Sequence, residues 1–200
     1  MIKNYEDYIY YKKMDRKVLG YENKKIIMPF TAHILKFEIL LRRLEYIENC
    51  LLKQVGIKTF FFKIYYYINL ILFRELSIRL GFTIPTNVFG PGLYIAHYGT
   101  IVVNRHCKIG ENCWIYPGVN IGANTKGPED VPILGDNVYI GPDAKLFGKI
   151  EIGNNISIGA NAVVTKSFPV SNVTLAGVPA KIIKDYNANE KVMMNKKSFN

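Results

Sequence analysis

Cysteine, histidine and tryptophan are scarce in this 200-residue chain, at three, three and one. The cysteines, Cys50, Cys107 and Cys113, are odd in number and form no CxxC or Cys/His spacing. Neither a disulfide framework nor a bound metal is therefore expected. Cys113 lies four residues after Ile109 and reads as a small core residue. A long apolar run is also missing. The best, FFFKIYYYINLILF from Phe60 to Phe73, is interrupted by Lys63 and Asn69 and is shorter than the roughly 20 residues of a membrane-crossing helix. The first residues contain no apolar stretch of the secretory kind, so a cytoplasmic setting is expected, with the inner face of a membrane as a variant. Acidic residues are few, 16 against 26 basic ones, for a net charge of +10. That balance attracts anions such as acidic lipid, nucleic acid or a phosphate-bearing cofactor. Its plainer reading is a solvated basic face.

What the chain does have is a period of six. From Ile109 the register reads Ile109-Gly110, Ile115, Ile121-Gly122, Leu134-Gly135, Ile140-Gly141, Leu146, Ile152-Gly153, Ile158-Gly159 and Val164. Strands alternate every two residues and helices every 3.6. Six fits a short strand that turns a corner at regular intervals, the pattern of a parallel β-helix. The aliphatic residues would fill a narrow interior, with glycine where the backbone turns or needs positive φ. Upstream the register continues as Thr83, Phe89, Ile95 and Ile101, and two extra residues then shift it to Ile109. After Ile121 the segment NTKGPEDVP, about 124–132, breaks the period and reads as an exposed loop.

Before residue 83 the pattern is helical. Residues 1–30 are polar, aromatic and lysine-rich, with breaks at Gly20 and Pro29. Phe37, Leu40, Leu41, Leu44, Ile47, Leu51 and Val55 recur at helical steps and predict a helix over about 31–55. Glu38 and Arg42 are placed as an i,i+4 pair on its other side, and Gly56 as its stop. A second helix is predicted over about 59–80, ended by Gly81. It can pack within the protein or oligomer, or lie on a membrane surface. The organisation is thus a helical region over 1–82, a β-helix over 83–183 and a polar tail over 184–200.

Among the histidines, His33 falls on the first helix and His106 at a corner in the frame shift. His97 sits in IAHYGTIVVN, two residues after the interior Ile95, and should project outward. A lone histidine is more often structural than catalytic.

The segments FGPGLYIAHYGTIVVN, CKIGENCWIYPGVNIGAN, ILGDNVYIGPDAKLFGKIEIG, IGANAVVTKSFP and AGVPAKI, within Gly81–Lys184, resemble the left-handed β-helix acyltransferases. The likeness covers about half the chain. It is nearest to the serine acetyltransferase-like branch, which includes bacterial capsule and lipopolysaccharide O-acetyltransferases. The resemblance implies a mainly β fold, a left-handed parallel β-helix preceded by an α-helical segment, assembled as a homotrimer with active sites between subunits. It implies that His97 is the general base, taking the proton of an acceptor hydroxyl that attacks acetyl-CoA. Imidazole suits that role because its pKa lies near the operating pH. An oxyanion donor is placed near Asn120 to Ala123 of an adjacent subunit. The CoA contacts carried over are Gly122, Ala123, Gly141, Pro142, Ala160, Lys166 and Lys181. The lysines suit a polyanion; Gly141 and Ala160 read equally well as small corner residues.

The chain also departs from the serine enzymes. Their Asp-Ile-His-Pro motif falls here on Phe82, Thr83, Ile84 and Pro85, and the acid before the histidine on Ala96. With those acids missing, and with Tyr98, Trp114, Tyr116 and Asn120 nearby, the expected acceptor is a sugar hydroxyl of a surface polysaccharide or its precursor. The alternatives are serine O-acetylation, N-acetylation of an amino sugar and a non-catalytic trimeric scaffold. No acyl-enzyme, metal or nucleic-acid partner is expected.

Overall fold

The computed structural model describes residues 1–23, 32–124, 127 and 129–184. Three helices come first: α1 (Tyr5–Val18), α2 (His33–Tyr46) and α3 (Lys58–Leu80). Fourteen short strands follow: β1 (Phe82–Thr83), β2 (Tyr94–Ile95), β3 (Ile101–Val103), β4 (Lys108–Ile109), β5 (Trp114–Ile115), β6 (Asn120–Gly122), β7 (Ile133–Leu134), β8 (Tyr139–Ile140), β9 (Lys145–Phe147), β10 (Glu151–Ile152), β11 (Ser157–Ile158), β12 (Val163–Val164), β13 (Thr174–Ala176) and β14 (Lys181–Lys184). They stack into three sheets ordered β1-β3-β6-β9-β12, β4-β7-β10 and β2-β5-β8-β11-β13-β14. All pairings are parallel except β13 with β14, which folds back and closes the last coil. The result is a three-sided parallel β-helix.

Two inward residues, separated by one outward residue, fill each side. Cys107 and Ile109, Cys113 and Ile115, Val119 and Ile121, Val138 and Ile140, Ala144 and Leu146, and Ala162 and Val164 are such pairs, all buried. Cys113 is the small core residue expected of it. Each large aliphatic side chain sealed in this way contributes about 1.5–3 kcal/mol. The two residues added before Ile109 form a turn in which the Cys107 N–H donates to the Asn104 carbonyl (3.1 Å) and the His106 N–H to Asn104 Oδ1 (2.9 Å). At the upstream end the register differs from expectation. Phe82 and Ile84 point inward and Thr83 outward, because Phe82 pairs in register with the interior Ile101.

The corners bear out the expected role of glycine only in part. Gly92, Gly99, Gly118 and Gly148 have positive φ, but none of the register glycines at 110, 122, 135, 141, 153 and 159 does; asparagines share the role, at Asn112, Asn137, Asn155 and Asn172. Asparagine tolerates the left-handed conformation. Stacked coil on coil, these four bond amide to amide: Asn112 to Asn137 (3.1 Å), Asn137 to Asn155 (2.8 Å) and Asn155 to Asn172 (2.9 Å). The register glycines serve close approach instead. A Cβ on Gly110 would lie 2.6 Å from the Gly135 carbonyl oxygen, and one on Gly90 2.7 Å from the carbonyl carbon of Gly110.

Helix α1 goes beyond the expectations from sequence, which assign no element to residues 1–30. Its inner face is Tyr8, Tyr11 and Asp15, a helical spacing carried by polar and aromatic residues that an aliphatic search passes over. Asn4 caps it, accepting from the Asp7 N–H at 2.7 Å. The first predicted helix is α2, continued by a wider turn over Ile47–Leu51 in which the Leu52 N–H donates to the Ile47 carbonyl. Thr31 lies outside the described residues, and Val55 is fully exposed beyond the helix rather than on its core face. Gly56 comes after a gap and precedes α3, with its carbonyl accepting from the Thr59 N–H. Gly81 ends α3 at φ 80° as expected.

The expected Glu38–Arg42 surface pair is not formed, because both side chains face the interior. Arg42 is fully buried and donates to Asp15 (2.7 Å), to Glu45 (3.0 Å) and to the carbonyls of Phe89 (2.9 Å) and Gly90 (2.7 Å). Asp15 accepts in turn from the N–H groups of Gly92 (2.8 Å) and Leu93 (3.0 Å). The helices are thereby fixed to the first coil, whose β2 leads directly to His97. Glu38 is buried, and among the described residues neither of its carboxyl oxygens has a hydrogen-bond partner. Desolvation, reinforced by the nearby Asp15, raises its pKa well above the ordinary carboxyl value, with Arg42 acting in the opposite sense.

Candidate functional site

His97 stands on the corner that follows β2 and is exposed. The Ala96 N–H bonds to the Ile115 carbonyl (3.1 Å), holding this corner against the next coil. Counting two residues past each interior residue of the same sheet places Pro117, Pro142 and Ala160 in line with His97, one to each successive coil. This edge is narrow at its middle, since a Cβ on Gly141 would lie 2.8 Å from the Ala160 nitrogen. Coil packing alone therefore accounts for Gly141, whereas Ala160 is exposed at the edge.

Aromatic rings line the adjoining face. His97 meets Tyr116 edge to face at 6.4 Å between centroids, and Tyr116 meets Tyr139 at 5.2 Å. Burial, then Tyr116, pushes the Tyr139 hydroxyl up to about 12. On the other side Tyr98, 55% exposed, lies 6.4 Å from the His33 ring, at a recess of about 220 Å³ that also borders Ala96 and Tyr94. Among the described residues no hydrogen bond holds either ring nitrogen of His97, and its ring neighbour Tyr116 is uncharged. Phe82, at the position expected to match the serine enzymes' aspartate, is buried and packs at 5.1 Å against Phe37 of α2. Ile84 is buried too.

Of the residues singled out from the sequence, His97, Tyr98, Tyr116, Gly141, Pro142 and Ala160 share one edge and its flanks. Trp114 does not belong to the open part: Tyr94 packs tilted against it at 4.2 Å, and it is 4% exposed. Asn120 begins β6, just past the corner below His97, paired with Val102. Gly122 and Ala123 lie at the far end of that strand, and Lys166 follows β12 at the same far corner. Lys181 is on the closing strand β14. The break in the period also leaves from the far corner, between β6 and β7. Thr125, Lys126 and Pro128 of that segment lie outside the described residues, as does the tail after Lys184. Tyr139 is not among the residues expected from sequence; its place directly before the interior Ile140 matches that of Trp114 before Ile115, with which it pairs in register.

Cysteine chemistry has little support in this geometry. Burial pushes the Cys107 thiol up to about 11 and Cys113 further. Among the described residues no three His, Cys, Asp or Glu side chains group as metal ligands.

Residues 132–166 match the bacterial transferase hexapeptide (six repeats) family. Over 101 residues the chain is 42% identical to serine acetyltransferase of Staphylococcus aureus strain Mu50, an alignment covering 50% of this chain and 47% of that one. The chain thus spans about half the length of the curated relatives it matches. Among solved structures, serine acetyltransferase of Brucella abortus strain S19 in complex with coenzyme A superposes with a TM-score of 0.68 at 25% identity, covering 91% of this chain and 70% of that chain. Serine acetyltransferase of Neisseria gonorrhoeae in complex with serine gives a TM-score of 0.65 at 25% identity, covering 90% and 70%. Together with the three stacked sheets, the repeat and these neighbours identify the fold as a left-handed parallel β-helix preceded by a helical segment.

Proposed function

We propose that this protein is an acetyl-CoA-dependent O-acetyltransferase with His97 as its general base. The observation that carries the proposal is an exposed imidazole on the β-helix edge, in line with Pro142 and Ala160, in a chain whose relatives are serine acetyltransferases. His97 accepts the proton of an acceptor hydroxyl as its oxygen attacks the thioester carbonyl. Backbone N–H groups stabilise the tetrahedral oxyanion. Collapse breaks the carbon–sulfur bond, and the imidazolium returns the proton to the CoA thiolate. Acetyl passes directly to the acceptor. The CoA residues Gly122, Ala123 and Lys166 leave the His97 edge within one chain, and a homotrimer that sets the far corner of one chain beside His97 of the next would reunite them.

Serine is the acceptor that the relatives favour, and they lend no support to a polysaccharide acceptor. One local observation favours the carbohydrate reading. A free amino acid carries two charges, yet Phe82, Ile84 and Ala96 supply no acid, and the rings beside His97 are those of Tyr116, Tyr139 and Tyr98. Aromatic faces suit the apolar C–H face of a sugar. CoA release is measured with acetyl-CoA and either L-serine or a panel of nucleotide sugars and surface oligosaccharides. Serine-dependent release establishes the first reading. Release only with a sugar, with an alkali-labile mass gain of one acetyl, establishes the second. No release with either sinks the enzymatic proposal in favour of a scaffold.

A further inference from the structure

Helix α3 is apolar on two faces, and only one of them is covered. Phe73 and Leu80 are buried on its inner face, where Phe73 stacks on Phe37 of α2 at 5.0 Å. The outer face carries Phe60, Phe61, Ile64, Ile68, Ile71 and Leu72, all exposed, with Phe61 at 63% and Ile71 at 67%. At 3.6 residues per turn these six fall within about 120° of arc, and over 60–72 the stripe runs about 20 Å along the helix axis. Contiguous apolar surface of this kind marks a contact with another protein or a membrane. No helix among the described residues is long and apolar enough to cross a bilayer.

The charges around the stripe decide between these partners. Lys58, Lys63, Arg74 and Arg79 are all exposed on α3, against one acid, Glu75, which is paired with Arg79 at 2.8 Å. Lys53 is exposed just before the helix. A second copy of this face would oppose cations to cations on a chain of net charge +10. An anionic bilayer surface complements both the charge and the apolar stripe. The lysine stems can extend along the apolar surface while their ammonium groups reach the phosphates. Exposed Tyr65 and Tyr67 at the margins suit the headgroup boundary, where a ring needs an apolar body and a polar tip.

We infer that the outer face of α3 docks the protein, parallel to the surface, on a membrane containing anionic phospholipid. The full-length protein is sedimented with phosphatidylcholine vesicles with and without phosphatidylglycerol, at low and high salt. Expected is partition onto the anionic vesicles that weakens with salt. The double variant Ile64→Asp/Ile68→Asp should lower partition at least about tenfold. Lys58→Gln and Lys63→Gln should each lower it about fivefold at low salt. Circular dichroism checks the fold of each variant, and the exposed lysine variants carry the test if the aspartates disturb folding. Absence of partition onto anionic vesicles overturns the inference, as does partition unaffected by these variants. So does a parent that ignores vesicles but whose oligomer dissociates in the aspartate variant, since a second copy is then what covers the face.

Discussion

Arg42 Nε donates to Asp15 Oδ2 at 2.7 Å across 27 residues of sequence, with both side chains sealed from solvent. That pair, with Glu45 and the carbonyls of Phe89 and Gly90, joins two helices to the coil that presents His97. A buried ion pair adds little over a well-packed apolar replacement, but removing one partner leaves the other charge stranded. Arg42→Met should therefore destabilise the protein by about 3–5 kcal/mol, measured by urea denaturation at pH 7. A loss below about 1 kcal/mol would mean that the site is hydrated or relaxes freely.

Glu38 gives the stability a pH dependence of known sign. Its folded-state pKa is raised by burial, so its contribution is fully present below the unfolded carboxyl pKa and is lost as pH rises toward the folded value. The groups facing it are Asp15, Arg42, Tyr94 and the Ile95 backbone. Glu38→Gln should stabilise the protein at pH 7, and the gain should vanish near pH 4. A gain that is the same at both pH values contradicts a raised Glu38 pKa.

His97→Ala should lower acetyl transfer by about 10²–10⁴-fold and leave the unfolding midpoint within experimental error, because the ring is exposed. Steady-state CoA release and thermal denaturation of the same preparation decide it. Unchanged turnover removes His97 from the reaction.

The corner glycines separate into two kinds that look alike in sequence. Gly110→Ala forces a Cβ to 2.6 Å from the Gly135 oxygen, whereas at Gly122 the new Cβ meets a Phe147 ring carbon at 3.4 Å. The first should cost about 1–3 kcal/mol by overpacking and the second well under that. Chemical denaturation of the two variants side by side gives the comparison, and equal losses would refute the close-approach account.

The six-residue period of Ile109 to Val164 was enough to specify the β-helix, because burial inside a narrow prism repeats the same inward positions on every side. The same logic placed His97 outward, two residues past Ile95, and ended α3 at Gly81. It failed where the local signal is not aliphatic. Helix α1 buries Tyr8, Tyr11 and Asp15, and the corners take asparagine at positive φ as well as glycine.

Tertiary structure decided what a one-dimensional pattern does not contain. Glu38 and Arg42 satisfy the spacing of a surface pair, yet packing of α2 between α1 and the first coil buries both and gives Arg42 to Asp15. Trp114 and Tyr116 are two residues apart and point to the same face, but Tyr94 covers the first and leaves the second beside His97. The sequence by itself determined the repeat, because periodic burial is a local property of the chain. Which side chains share an edge, and which charges are sealed together, depended on contacts between residues far apart in sequence.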